Sequence, residues 1–304
     1  MKYDIQVNPF NPVEYLACCG ILEILARFDA NTVSQWELEP QPRLWLESSI
    51  DEAALLQCVA KTLSQWSKWQ TTAETTEEGE VETESDSDEE ANEGLRLTPV
   101  FTLNGVDCEL ELDWWYETLN VQLRVETKGK SAWKMYTGQQ TAETINRKMT
   151  AIAAQLLSKH PIASLTELLK LSAKMKGRFG FDPRSSRNAL DTGFSANDLK
   201  QPVTTYLFAE MLAELAAQYF FPARTKQGGG ITSARGWIKD DVFQYALWRT
   251  PLPITLARLA ATGAAVKQDD LILLHAGRAR RDKYANFKMA KTAAWPDKKT
   301  RKSK

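Results

Sequence analysis

Residues 12–28, PVEYLACCGILEILARF, carry apolar side chains that fit a largely buried helix, with Pro12 near its first turn, where a missing amide hydrogen is no loss. Gly20 inside that run lowers helix propensity, so its predicted use is the close approach of another element. Upstream, Tyr3–Val7 alternates like a short strand and enters the helix through a turn at Pro9 and Pro12. Downstream, Val33–Leu38 and Arg43–Glu47 read as strands. Ile50–Trp69 reads as an amphipathic helix with Ala53, Leu56, Ala60, Leu63 and Trp66 on one face.

Further along, residues 71–94, TTAETTEEGEVETESDSDEEANEG, have Val81 as their one bulky apolar residue, too little to offset the entropy of ordering. An acidic, disordered insertion is expected there. Asn104-Gly105 between two alternating runs signals a hairpin, because both residues accept positive φ, and the strands are expected to continue through Leu119–Glu126. After Gly129 the pattern predicts helices over Gln139–Leu157, Ile162–Met175 and Val203–Tyr219, the last entered from Pro202. Arg235–Trp248 and Leu271–Ala279 read as strands, and the tail PDKKTRKSK as loose. The expected fold is α+β: an N-terminal mixed domain over 1–127 with an antiparallel hairpin, then a basic, helix-rich domain over 128–304 with C-terminal strands. No internal repeat argues for a solenoid or propeller.

Charge divides the chain in the same place. Residues 1–123 hold 6 Lys/Arg against 25 Asp/Glu, and residues 124–304 hold 32 against 14, so a net charge of −1 conceals two opposite halves. Eleven of the acids fall between Glu74 and Glu93. A basic body with an acidic segment suits a polyanion binder, since clustered Lys and Arg release counterions from phosphates. The 304 residues, 43% apolar and 25% charged, are ordinary for a globular protein with one large core or two smaller ones. Neither a membrane-spanning run nor an apolar signal core after MKYDIQVNPFNP is present, so a cytoplasmic location and no membrane partner are expected. The four cysteines are expected to be reduced, and the adjacent Cys18 and Cys19 would strain the backbone if joined.

Catalytic signals are poor. The two histidines are His160, before a proline, and His275, in an apolar strand; HxxxH, CxxC, GxSxG and Walker patterns are missing. Asp182, Asp191 and Asp198 would suit Mg²⁺ if folded together, but Asp182-Pro183 and Asn197-Asp198 are turn and cap contexts. Gly228–Gly230 lies between Arg224, Lys226 and Arg235; without a GK[ST] ending it reads as a flexible loop whose neighbours supply charge. No metal or other cofactor is expected.

Basic clusters carry more. Lys128, Lys130 and Lys134 flank Gly129, Ser131 and Trp133; Lys174, Lys176 and Arg178 precede Gly180; Arg184 and Arg187 bracket Ser185 and Ser186. Each joins cations to a loop or hydroxyl donor, the mix that positions a nucleic-acid backbone. Arg278, Arg280 and Lys283 are expected to share one face of a strand with Arg281 opposite, against the alternative of a solvated, guarded edge. Trp133, Tyr136 and Trp237 are candidates for stacking on bases, although core packing is the commoner fate of aromatics.

Four ordered stretches resemble a known family. Asn8-Pro9 with Tyr15-Leu16-Ala17-Cys18-Cys19-Gly20-Ile21-Leu22-Glu23 resembles the opening of the compact large-subunit-type (Cas-eight-like) proteins of type I-G, formerly I-U, CRISPR effector complexes. Lys134-Met135-Tyr136-Thr137-Gly138-Gln139-Gln140 is similar to that family's central element, departing from it at Met135-Tyr136 and Thr137. The run from Phe179 to Ser195 resembles its longest motif, and Tyr245-Ala246-Leu247-Trp248 with Pro251-Leu252-Pro253 resembles a shared C-terminal stretch. The acidic segment lies outside the pattern.

The resemblance implies a non-catalytic subunit of a Cascade-like RNA-guided complex. Such a subunit contacts target double-stranded DNA at the protospacer-adjacent motif and holds the displaced strand, while guide pairing reads the sequence. Its partners would be the guide RNA-bound effector subunits, namely backbone and Cas-five- and Cas-six-like proteins, and a recruited helicase-nuclease. Gln139, Gln140, Arg184, Ser185, Arg187 and Asn188 match the family strings and are able to contact bases or phosphates, with the base readers left open. Two alternatives stand beside it: a Mg²⁺-dependent nuclease built on Asp182, Asp191 and Asp198, and a scaffold whose basic face meets an acidic protein.

Overall fold

The computed structural model describes residues 1–66, 99–110, 133, 135, 142–185, 202–220, 222–224, 231–234, 236–238, 242–263, 268–281 and 284–295; of Ser185, Arg224, Trp237, Arg280 and Arg281 it describes the backbone. The expected acidic segment 71–94 and strand Leu119–Glu126 fall outside these residues.

The chain opens with β1 (Lys2–Gln6), α1 (Pro12–Phe28), β2 (Val33–Glu37), β3 (Arg43–Glu47) and α2 (Glu52–Leu63), close to the expected bounds except that α2 stops at Leu63, short of the expected Trp69. β4 (Val100–Leu103) and β5 (Val106–Glu109) form the expected hairpin, with Asn104 at φ 51° and Gly105 at φ 79°, the two positive angles such a turn requires. Then come α3 (Ala142–Lys159), α4 (Leu165–Lys170), β6 (Ala173–Met175), β7 (Val203–Thr205) and α5 (Leu207–Ala216). The C-terminal part holds β8 (Pro222–Arg224), β9 (Ile231–Ala234), β10 (Trp237–Ile238), β11 (Val242–Trp248), β12 (Leu252–Pro253), α6 (Ile254–Ala261), β13 (Leu271–Arg281), β14 (Tyr284–Phe287) and β15 (Lys291–Thr292).

The fold is α+β with antiparallel sheets. One runs β1-β3-β2-β12; another runs β10-β11-β13-β14, with β15 also on β13. α1 touches both. Tyr15 stacks at 5.4 Å on Trp36 of the first sheet and at 4.2 Å against Tyr245 of the second. Asn11 caps α1 by accepting from the Val13 amide. Buried on nearly every side, α1 packs along α5, whose ten residues are all buried. At the crossing, a Cβ on Gly20 would stand 2.1 Å from the Leu212 carbonyl oxygen, so only glycine lets the two backbones approach this closely.

Several expectations need correction. The helix expected over Ile162–Met175 stops at Lys170, because residues 173–175 pair with 203–205 as a ribbon. The same pairing removes the first residues from the helix expected over Val203–Tyr219; Val203, Thr204 and Thr205 prefer extended backbone, and α5 starts at Leu207. The strand expected over Arg235–Trp248 is divided into β10 and β11, and α6 and the β8–β9 pair had no counterpart in the sequence reading. Among the described residues one hydrophobic cluster runs from Ile5 to Ala290, and β12 completes the sheet of β1–β3, while the expected boundary at 127/128 lies outside them. Burial of shared apolar surface outweighs the charge division that the sequence displays.

Candidate nucleic-acid interface

α5 places two carboxylates in the interior, Glu210 and Glu214, one helical turn apart and both fully buried. Glu210 accepts hydrogen bonds from the amides of Asp182, at 2.9 Å, and Phe181, at 3.4 Å. It thereby holds the backbone of the 179–185 segment against α5. Burial and the negative charge of Asp182 push the Glu210 carboxyl up to about 7, with the two amides and Arg178 resisting. Glu214 accepts from Asn146 of α3 at 2.6 Å, and burial raises its pKa well above the usual carboxylate range.

Asp182, itself fully buried, turns its carboxylate toward Arg184 in the short 3₁₀ turn Pro183–Ser185. The Arg184 guanidinium donates from Nε at 3.0 Å and from Nη2 at 2.9 Å, a two-pronged contact, and the Arg184 amide donates to the same carboxylate at 2.9 Å. Asn11 Nδ2 adds a fourth donor at 3.4 Å. On its other edge, Arg184 Nη1 lies 2.7 Å from Glu14 of α1, and the guanidinium centre lies 3.7 Å from the Tyr206 ring centroid. Burial opposes the Arg184 charge, but Asp182, Glu14 and Tyr206 outweigh it and raise its pKa. This guanidinium is fixed in place with one-third of its side chain exposed.

The neighbouring cations sort by burial. Lys174 and Lys176 on and beside β6 are exposed, and they lead into Arg178, which is half-buried near Glu210 and Asp182 and has its pKa lowered by burial. Arg278 is 7% exposed, which corrects the expected cationic face: the alternation of β13 sets it on the side of buried Leu274 and Ala276. β13 ends at Arg281, which pairs with Tyr284 of β14. Trp133 sits in the core against Phe181, Phe220, Phe243 and Phe287, not on a surface where a base would stack. Lys128, Lys130, Lys134, Tyr136, Gln139, Gln140, Arg187, Asn188, Lys226 and Arg235 lie outside the described residues, as does Lys283. Arg224, Arg280 and Arg281 are placed by their backbone in β8 and β13.

Asp182 also bears on the metal alternative. Its oxygens are engaged by arginine, asparagine and backbone donors, the opposite of a carboxylate presented to a cation, while Asp191 and Asp198 fall outside the described residues. Among the described residues no group of three or more His, Cys, Asp or Glu is arranged to hold a metal ion, and no helix is long and apolar enough to cross a membrane.

Sequence reasoning missed Glu14, Tyr206, Glu210, Glu214 and Asn146 as partners of this cluster. Two of them carried a signal: Glu210 and Glu214 are the two charges in the otherwise apolar run LFAEMLAELAAQYFF, a place where carboxylates occur buried only when something answers them. Comparison with protein-family models, with curated proteins and with solved structures returned no match.

Proposed function

We propose that this chain is a non-catalytic DNA-binding subunit of a type I RNA-guided surveillance complex, of the compact large-subunit type, which contacts target duplex beside the protospacer-adjacent motif and stabilises its opening for a separate helicase-nuclease. The observation that carries the reading is convergence. The four stretches that bear the resemblance are spread over some 240 residues, yet they meet around one node. Tyr245 Oη donates to the Pro9 carbonyl at 2.8 Å, and Tyr15 Oη to the Ala246 carbonyl at 3.0 Å. Asn11 and Glu14 at the start of α1 hold Asp182 and Arg184. β14 joins the other two stretches, Ala285 donating to the Met135 carbonyl at 2.9 Å and Phe287 to the Gly180 carbonyl at 3.3 Å.

Exposed Lys174 and Lys176, cations of the kind that neutralise phosphates, lie on and beside β6, which pairs with β7, the strand that leads into Tyr206. Guide pairing would supply sequence recognition, leaving this subunit to recognise shape, the adjacent motif and the displaced strand. Co-expression with its neighbouring genes, followed by affinity purification through a tag on this chain, tests the reading. A guide RNA and further effector subunits are expected to copurify; recovery of the chain alone, free of RNA, would refute it.

A further inference from the structure

Arg184 belongs to the longest family-like stretch, and each of its three guanidinium nitrogens already has a carboxylate partner. Nε and Nη2 face Asp182, and Nη1 faces Glu14. A guanidinium recognises phosphate or a guanine edge by turning a two-pronged donor edge toward it, and here those edges face carboxylates. The planar faces are a different matter. One lies 3.7 Å from Tyr206, and one-third of the side chain is still exposed.

From this geometry we infer that Arg184 is a stacking platform for an unpaired nucleobase, with Tyr206 as its backing and Asp182 and Glu14 as the clamps that hold its plane. The inference rests on the DNA-binding reading above and specifies its ligand as a base of the displaced single strand. Single-strand binding grooves combine two devices, cations that follow the backbone and flat groups on which bases lie. Lys174 and Lys176 supply the first device and the clamped guanidinium the second. Most arginines lose side-chain freedom when they bind, whereas the two carboxylates have already removed it here, so stacking on Arg184 carries a smaller ordering penalty.

The experiment is equilibrium binding of the full chain to a fluorescent single-stranded oligonucleotide across a salt series, for the wild type, Arg184→Ala and Arg184→Lys, each confirmed as folded by its melting transition. Both substitutions are expected to weaken binding by about tenfold while leaving the slope of log affinity against log salt unchanged, because a base contact releases no counterion. An oligonucleotide made abasic in its central positions should bind wild type and both variants alike. Recovery of affinity in Arg184→Lys, together with a slope lowered by about one in Arg184→Ala, would identify a phosphate contact and overturn the platform. Unchanged affinity in both variants would make Arg184 purely architectural and overturn it too. If both variants fail to fold, the wild type still decides: equal affinity for the intact and abasic strands excludes base stacking. Wild-type binding that does not change with salt would instead reject the DNA-binding reading itself.

Discussion

Glu23 and Asp182 are both fully buried and both meet arginine, but in opposite proportions. Glu23 on α1 accepts hydrogen bonds from Arg258 of α6, and Arg27 lies 3.6 Å from it, so one acid serves two bases whose side chains are 44% and 42% exposed. Around Asp182 the single guanidinium of Arg184 meets two acids, with Glu210 and the half-buried Arg178 behind them. Arg258 lies 5.7 Å from the Tyr219 ring, whereas Arg184 lies 3.7 Å from Tyr206. The Glu23 pair ties α6 to the central helix and leaves donors in water. At Asp182 all three guanidinium nitrogens face a carboxylate and the flat cation is held between them. Similar chemistry thus gives a tether in one place and a clamped, partly exposed guanidinium in the other.

Breaking the two clusters should expose this asymmetry. Asp182→Ala strips Arg184, Asn11 and the turn amide of their acceptor, and should destabilise the protein by about 3–5 kcal/mol. Arg258→Ala should cost only about 1–2 kcal/mol, since Glu23 keeps Arg27 and the lost side chain is partly solvated. Denaturant midpoints at constant m compare them, and equal losses would abolish the distinction. Acidity sharpens the same contrast. The folded form holds the Glu210 proton more tightly than the unfolded chain does, its pKa being raised from 4.5 to about 7. Stability from this group is therefore full below pH 4.5 and falls by about 3 kcal/mol as the pH rises through 7, a decline that Glu210→Gln should flatten.

Asp29 titrates in the other direction. Burial alone would raise its pKa, but donors from Ser49, Ser48 and Asn31 lower it from 3.8 to about 2, so its contribution is present above pH 3.8 and is lost as the pH falls through 2. Smaller effects probe the helix that carries both Glu14 and Glu23. Gly20→Ala forces α1 away from α5 and should cost about 1–3 kcal/mol in thermal or chemical melts. Asn11→Ala removes the cap of α1 and a weak donor to Asp182, for about 1 kcal/mol. A loss confined to the cap, with Arg184 still bound as before, would show that the two ends of the cluster are independent.

Much of the N-terminal fold was legible because its cues are local. Pro12 marks the start of α1, apolar residues run through it, and Asn104-Gly105 fixes the hairpin. Gly20 even indicated a close crossing, although not which helix would make it. Between Ile162 and Tyr219 both expected helices are present but shorter, because β6 and β7 are short strands that exist only by pairing with each other across some 30 residues. The candidate site was legible in its cations and not in its anions. Arg184 stood out in a basic stretch, but its distant partners are Glu14 of α1, 170 residues before it, and Tyr206, 22 residues after, and only packing brings them together. Arg278 shows the reverse error, a cation read as surface that the strand's alternation turns inward.

The claim on which the account rests is that this molecule holds nucleic acid through phosphate-seeking cations around the Asp182–Arg184 node. Titrating the full chain with duplex and single-stranded oligonucleotides at a series of salt concentrations tests it directly. The account predicts a steep negative slope of log affinity against log salt, as expected when several phosphates are neutralised. A slope near zero on both oligonucleotides would contradict it.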